Sequence, residues 1–369
     1  MNFDELGLIE PLRLAVTAAG YTVPTPIQVA SIPVLLLGGD LCGTAQTGTG
    51  KTAAFALPIL QRLATTPGTG GIRALILAPT RELAVQINEA FAVYGRNLPD
   101  VRHAVVFGGM GMRAQRRAIE AGVDVLVATP GRLLDLCGQG VVRLDKVECF
   151  VLDEADRMLD MGFINDVRTL IKRLPARRQT VLFSATLPKD IEQLVKQILR
   201  NPTRVSVAPA SSVADRIQQT IRLVEKGAKG TVLLQILADP AITRAVVFTR
   251  TRHGADRIAA RLRTSRISAE AIHADRTQPE RARAMADFTQ GFTRVLVATD
   301  IAARGIDIDG ITHVINFDVP NVPETYVHRI GRTARAGAAG HAITLCSTEE
   351  LPYLKDIERL TKQKIVPTA

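Results

Sequence analysis

Short apolar runs alternate along the chain with segments whose apolar residues recur at helical spacing. In the first half the runs are ALILAP, HAVVFGG, DVLVATP, CFVLDEAD and TVLFSAT; in the second they are AVVFTRT, RVLVATD, HVINFDVP and HAITLC. Each is short, rich in Val, Ile or Leu, and closed by a polar or glycine-containing cluster, the pattern of strands buried on both faces. Alternation of this kind builds βαβ units, so the expected fold is α/β, with mostly parallel sheets flanked by helices. The pattern breaks in VSVAPASSVADR, residues 205–216, where Pro, Ser and Ala interrupt it. Two domains are therefore expected, at 1–207 and 216–369, joined by a short linker at 208–215.

The polar clusters say more than the runs they close. PTRE follows ALILA, GG follows VVF, TPGR follows LVA, DEAD follows FVL, SAT follows VLF, TRT follows VVF and TDIAARG follows LVA. Open parallel sheets bind ligands at the carboxyl ends of their strands, so these clusters would share one edge in each domain. Strand ends meet polar loops in any protein, but that accounts for one or two such clusters rather than seven.

Composition narrows the picture. At 369 residues the chain exceeds what one core usually supports, and 46% hydrophobic with 22% charged residues places it among ordinary globular proteins. A formal charge of +10 favours a polyanionic partner. Cys42, Cys137, Cys149 and Cys346 are far apart with no CxxC pair, which points away from a zinc site and from a disulfide framework. The start, MNFDELGLIEPL, lacks the order of a signal peptide, and no apolar run approaches membrane-spanning length. The expectation is a cytoplasmic protein with no membrane partner.

Two segments carry chemistry. AQTGTGKT, residues 45–52, ends as a P-loop does, in Gly50, Lys51 and Thr52, and opens a helix-like run. Small residues let backbone N–H groups curl around phosphate oxygens, while Lys51 would reach the β/γ-phosphates and Thr52 would offer a hydroxyl to Mg²⁺. The first position is Ala45 where Gly is usual, and the bland alternative is a glycine-rich loop before an ordinary helix. CFVLDEAD, about a hundred residues on, drives Asp153, Glu154 and Asp156 onto the end of a hydrophobic strand. Buried charges are costly unless neutralised, and a divalent metal is the usual neutraliser. Asp153 is expected to hold Mg²⁺ largely through water, and Glu154 to orient and deprotonate an attacking water. The alternative for DEAD alone is a solvated acidic turn capping the next helix.

With these motifs in place, nearly the whole chain resembles the DEAD-box RNA helicases of superfamily 2, from Phe3 to about Cys346 and in the family's order. The resemblance implies two RecA-like domains, ATP and Mg²⁺ as cofactors, and RNA as partner. GYTVPTPIQ looks like the Q motif, with Gln28 toward adenine and Phe3 and Tyr21 near the base. Gln46, Thr47, Gly48, Thr49 and Gly50 would complete the nucleotide loop. APTRELAVQ with Arg81, the pair Gly108 and Gly109, and TPGR with Thr129 and Arg132 are similar to motifs that grip the RNA backbone. SAT, with Ser184 and Thr186, resembles the element coupling nucleotide to strand separation. In the second half, VVFTRTRHGAD, with Thr251, looks like motif IV, and Gln278 and Arg281 stand as the family's QxxR. VATDIAARGID resembles motif V, with Thr299 toward RNA and Asp307 toward the ribose. YVHRIGRTARAG resembles motif VI, with Arg332 and Arg335 as arginine fingers and His328 as a relay to SAT. The run RMLDMGFINDVRTLIKRLPARRQTVLFSATLP is most like the bacterial RhlE branch. Two positions depart from the family, Ala274 and Ala334, where it usually has Gly.

A finger in one domain and a P-loop in the other imply hydrolysis on closure, with RNA stimulating it and ATP tightening RNA binding. Arg329, Arg332 and Arg335 at i, i+3 and i+6 fall on one helix face, a spacing that a solvated basic face also produces. Few aromatic residues, 4% with no Trp, argue for backbone gripping over base stacking and hence little sequence preference. The leading expectation is an ATP-dependent RNA helicase that opens short duplexes or remodels RNA–protein complexes. The alternatives are an ATP-gated RNA clamp with little unwinding and a P-loop ATPase acting on DNA. A monomer is expected, with ribosomal or RNA-decay proteins as the class of protein partner.

Overall fold

The computed structural model describes residues 2–45, 48–68, 70–207, 217–300, 310–334, 339–361 and 363–367. The chain divides into two compact units, Met1–Pro209 and Ala210–Ala369. The expected linker, 208–215, lies outside the described residues.

The first unit holds a seven-stranded sheet built from β1 (Leu41–Thr44), β2 (Ala74–Leu77), β3 (His103–Val106), β4 (Val125–Ala128), β5 (Cys149–Leu152), β6 (Gln179–Ser184) and β7 (Thr203–Ser206). Its order is β3-β4-β2-β5-β6-β1-β7, and every pairing is parallel. β2, β4 and β5 are apolar at every position because both faces are covered. Ile76, Val127, Val151 and Phe183 point into one layer, and Leu75, Leu126, Phe150 and Leu182 into the other. Complete burial of a side chain such as Phe150 or Phe183 contributes on the order of 2–3 kcal/mol. The edge strands β3 and β7 are partly exposed, as edges without a covering layer are.

The second unit repeats the plan with β8 (Ile217–Leu223), β9 (Ala245–Thr249), β10 (Ala269–Ile272), β11 (Val295–Thr299), β12 (His313–Asn316), β13 (Gly340–Cys346) and β14 (Val366–Pro367). The order β10-β11-β9-β12-β13-β8-β14 is that of the first sheet advanced by seven strands, again all parallel. Nine of the fourteen described strands coincide with the apolar runs. The others are less apolar or shorter. Gly43 in β1 has no side chain because a Cβ there would strike the Phe183 ring at 2.4 Å, and β8 alternates buried with exposed positions.

All four cysteines are buried and free. Among the described residues, no helix is long and apolar enough to cross a membrane.

Candidate functional site

In the first unit the nucleotide-type motifs meet at the carboxyl ends of β1, β5 and β6. Beyond β1, Gly48 and Gly50 both adopt left-handed backbone, with φ of 82° and 89°, and Gly50 caps the helix Lys51–Thr65. A Cβ at Gly48 would meet nothing within 4 Å, so the loop faces open space there, whereas one at Gly50 would lie 2.5 Å from Gln28 Nε2. That close approach explains the glycine. Gln28 donates from Nε2 to Gly50 O at 3.1 Å and accepts from Thr25 N at 2.9 Å, which ties the Q-motif segment to the P-loop. Lys51 is buried and donates from Nζ to Ala45 O at 3.0 Å. Gln46 and Thr47 lie outside the described residues. Thr49 and Thr52 flank the glycine and lysine in the same turn and helix start.

Near the expected base site, Phe3 is buried in the first unit's core within the turn Phe3–Leu6. Tyr21 is 45% exposed, with its ring centroid 6.2 Å from that of Tyr94 and its hydroxyl accepting from Tyr94 at 3.4 Å. Burial, with the Tyr21 bond, pushes the Tyr94 hydroxyl well above its ordinary pKa.

The buried strand β5 delivers Asp153 into the site with its N–H bonded to Leu77 O at 3.0 Å. Asp153 is 2% exposed, and its Oδ1 is buried with no hydrogen-bond partner among the described residues. Burial pushes its carboxyl up to about 6, while the Lys51 ammonium pulls the other way. An orphaned buried carboxylate oxygen beside a phosphate-type lysine is the environment a divalent cation would relieve, so these residues fit Mg²⁺. Among the described residues there is no group of three or more His, Cys, Asp or Glu arranged to hold a metal.

Glu154 follows in left-handed backbone, φ 54°, at the start of the helix Ala155–Asp160. Its carboxylate pairs with Arg157 at 2.6 Å, both side chains almost wholly buried. Asp156 turns the other way. Its Oδ2 accepts from Thr186 N at 2.9 Å and Thr186 Oγ1 at 3.0 Å, and its N–H donates to Ser184 Oγ at 3.1 Å. Ser184 in turn donates to Thr186 O at 2.7 Å. The DEAD turn and the SAT segment are thus one hydrogen-bonded unit. Sequence reasoning named Asp156 without a role and passed over Arg157. The i, i+3 spacing of Glu154 and Arg157 was a signal for the pair; the link from Asp156 to Thr186, across thirty residues, had none.

The strand-gripping candidates of the first unit gather beyond the adjacent strands β2, β3 and β4. Thr80 caps the helix Arg81–Tyr94 by accepting from Leu83 N at 3.3 Å. The Arg81 guanidinium lies over Gly109, where a Cβ would come within 2.7 Å of its Cζ. Thr129 caps the helix Pro130–Gly138, and Arg132 donates to Met110 O at 3.3 Å.

The second unit places its candidates at matching register. Leu77 pairs with Ala128 as Phe248 pairs with Ala298, so Thr80 corresponds to Thr251 and Thr129 to Thr299. Val106 and Ile272 pair with those same alanines, which sets Gly108 and Gly109 against Ala274 and Asp275. Thr251 repeats the cap of Thr80, accepting from Gly254 N at 3.0 Å, and Arg252 forms an ion pair with Asp275. Arg281 is buried on the helix Gln278–Thr289.

Motif VI departs from expectation. The helix Pro323–Ile330 ends before Arg332, so Arg329 and Arg332 do not share one helix face. Arg329 is instead a buried pin: it pairs with Asp300 at 2.5 Å and 2.8 Å, donates to Asp318 O at 2.6 Å, and lies 5.1 Å from the Phe248 ring centroid. Arg332 is 3% exposed and donates to His328 O at 3.2 Å, and His328 itself is half-buried. A solvated basic face is therefore ruled out for Arg329 and Arg332. Ala334 takes the left-handed backbone, φ 58°, that a glycine would adopt without strain. Asp307 and Arg335 lie outside the described residues.

Known proteins resemble this chain over nearly its whole length. Residues 25–194 match the DEAD/DEAH box helicase family, and residues 228–337 match the helicase conserved C-terminal domain. The DEAD-box ATP-dependent RNA helicase CshA of Geobacillus kaustophilus is 43% identical over 364 residues, 99% of this chain and 77% of that protein. The CshA of Bacillus subtilis is 42% identical over 367 residues, 99% of this chain and 73% of that protein. Among solved structures, S. cerevisiae Dbp5 bound to RNA and ADP BeF3 superposes with a TM-score of 0.89 at 31% identity, covering 99% of this chain and 95% of that one. Mss116p bound to ssRNA and AMP-PNP gives a TM-score of 0.89 at 27% identity, covering 100% of this chain and 78% of that one. Both units are RecA-like, and the chain belongs to the DEAD-box ATP-dependent RNA helicases.

Proposed function

We propose that this helicase hydrolyses ATP in an RNA-stimulated manner, opening short RNA duplexes or remodelling RNA–protein complexes. The observation that carries the reading is a pair of hydrogen-bonded links at one sheet edge of the first unit, Gln28 to Gly50 beside Lys51 at the P-loop, and Asp156 of the DEAD turn to Ser184 and Thr186. A nucleotide bound there would touch both a base-side and a strand-side element. Lys51 and the loop N–H groups hold the phosphates, and Glu154 orients water and accepts its proton. Thr52 and Asp153 would hold Mg²⁺, largely through water, and the cation supplies charge neutralisation to the phosphates when bound.

The nucleotide domain is taken as 1–207 and the second helicase domain as 216–369. Arg332 and Arg335 act from the second domain as fingers, His328 relays to SAT, and Asp307 holds the ribose. Arg81, Gly109, Thr129 and Arg132, with Thr251, Arg281 and Thr299, grip the RNA backbone. Their matched register in the two sheets supports a single strand-binding edge repeated in each domain. Because these groups address backbone, sequence preference is slight. Within the family the RhlE-like placing of the run beginning at Arg157 is kept as a proposal beside the CshA relatives. A bacterial cytoplasm, a monomeric state, and ribosomal or RNA-decay partners complete the proposal.

The test is strand release from a short RNA duplex, wild type against Glu154→Gln. Wild type should release strands with ATP; Glu154→Gln should keep ATP and RNA binding and lose turnover by roughly 10²- to 10⁴-fold. Slow hydrolysis without strand release in wild type would favour the RNA clamp, and retained turnover in Glu154→Gln would remove Glu154 as the base.

A further inference from the structure

The second unit contains a buried carboxylate that the helicase reading does not use. Glu350 stands in the turn Thr348–Glu350 after β13 and is 6% exposed. Its Oε2 accepts from Lys229 Nζ, from Ser347 N at 3.0 Å and from Ser347 Oγ at 3.1 Å. Its Oε1 accepts from Val319 N at 3.1 Å and from the Arg250 guanidinium at 3.3 Å. Two backbone N–H groups, a hydroxyl, an ammonium and a guanidinium converging on one anion are the donor set of a phosphate cradle. Burial alone would raise this carboxyl, but the bonds from Lys229, Ser347 and Val319 hold it below the usual range.

The position of this cradle follows from the repeated sheet. β8 occupies in the second sheet the place of β1 in the first. Lys51 is the first residue of the helix after β1, and Lys229 is the first residue of the helix after β8. Glu154 stands two residues beyond β5 and Asp318 two beyond β12, its counterpart strand, with Asp318 Oδ1 4.0 Å from Lys229 Nζ. In place of the glycine loop, the segment VEKGA leads from Leu223 to Lys229. Lys229 is 2% exposed and also donates to Phe317 O at 2.8 Å. The second unit thus keeps the lysine and an acidic strand end, and supplies its own anion.

We propose that Glu350 is a tethered anion filling, in the second unit, the position that phosphate takes beside Lys51 in the first. The ligand class of the vacated cradle is a small oxyanion such as inorganic phosphate. The carboxylate keeps this unit ordered without nucleotide. It also sets the turn entering Thr251, because Arg250 is held by Glu350, by Val319 O at 3.1 Å, and through its own N–H by Asp318 Oδ2 at 2.8 Å.

The experiment is thermal unfolding of the 369-residue chain carrying Glu350→Ala in phosphate and in chloride at equal ionic strength, with Lys51→Ala in both the variant and its reference so that the first unit's loop does not contribute. In chloride the variant should melt about 10 °C below its reference, the cost of removing the carboxylate from a buried lysine and the acceptor from two buried backbone N–H groups. Phosphate at about 100 mM should raise its Tm by about 3 °C more than it raises the reference, the linkage expected of a site with a Kd of about 10 mM. An unchanged Tm in chloride, or a phosphate gain equal to the reference, would overturn the proposal. Should Glu350→Ala fail to fold, Glu350→Gln, which keeps an acceptor oxygen and removes the charge, answers the same question. It should melt below its reference in chloride and gain more from phosphate than the reference does; a Tm equal to the reference in both salts would show that the negative charge beside Lys229 is not what the site needs.

Discussion

The two units have the same sheet order, yet their helix-opening lysines live differently. Lys51 follows a glycine loop that faces open space at Gly48 and donates to Ala45 O; Lys229 is clamped by Glu350 and by Phe317 O. The adjoining acids differ in the same way. Asp153 carries an orphaned buried oxygen, whereas the donors around Glu350 are matched to its own carboxylate. The edge proposed to grip the strand shows the reverse: Thr80 and Thr251 make the same helix cap at the same register, and Thr129 and Thr299 hold equivalent register positions. On the proposed reading, one fold keeps its polymer-binding edge in duplicate while only one copy leaves its phosphate position unfilled, because the edge depends on strand register and the phosphate position on loop sequence.

The sharpest way to break this comparison is to remove what the second unit is proposed to lend the first. Arg332→Ala should lower RNA-stimulated hydrolysis by roughly 10³-fold or more with ATP affinity largely kept, measured by steady-state phosphate release and nucleotide titration. An unchanged rate would place the finger elsewhere.

A second test exchanges the lysines. Lys51→Ala should weaken ATP binding by about 100-fold, since it removes a charge-assisted contact to phosphate. Lys229→Met should leave ATP affinity within about twofold and lower Tm instead, so calorimetric titration and thermal melting together separate an open site from a filled one.

The smallest expected effect concerns Ala334. Its left-handed backbone makes Ala334→Gly stabilising by about 0.5–1 kcal/mol, a rise in Tm of about 1–4 °C. A loss of stability would mean the turn is not strained.

These tests follow the line between what the sequence revealed and what it did not. Strands buried on both faces, such as β2, β4, β9 and β11, read directly as apolar runs, and the P-loop and DEAD motifs as local patterns. β1 was hidden by Gly43, whose absent side chain makes room for Phe183, and β8 by its alternation beside the linker. Motif VI misled at the level of geometry: i, i+3, i+6 spacing suggested one helix face, but the helix stops at Ile330, and Arg329 serves the core. Bonds between distant segments were not legible at all. Gln28 to Gly50, Asp156 to Thr186, and Lys229 to Glu350 across 121 residues depend on packing that no local pattern encodes.

The most direct test of the account is steady-state ATP hydrolysis by the wild-type chain with no nucleic acid, with single-stranded RNA and with the matching DNA, at one fixed salt concentration. The account predicts a low basal rate, strong stimulation by RNA and little by DNA, because the site in the first unit is completed only when a strand engages both gripping edges. Equal rates in all three conditions would contradict it, since hydrolysis would then need neither the strand nor the second unit's arginines.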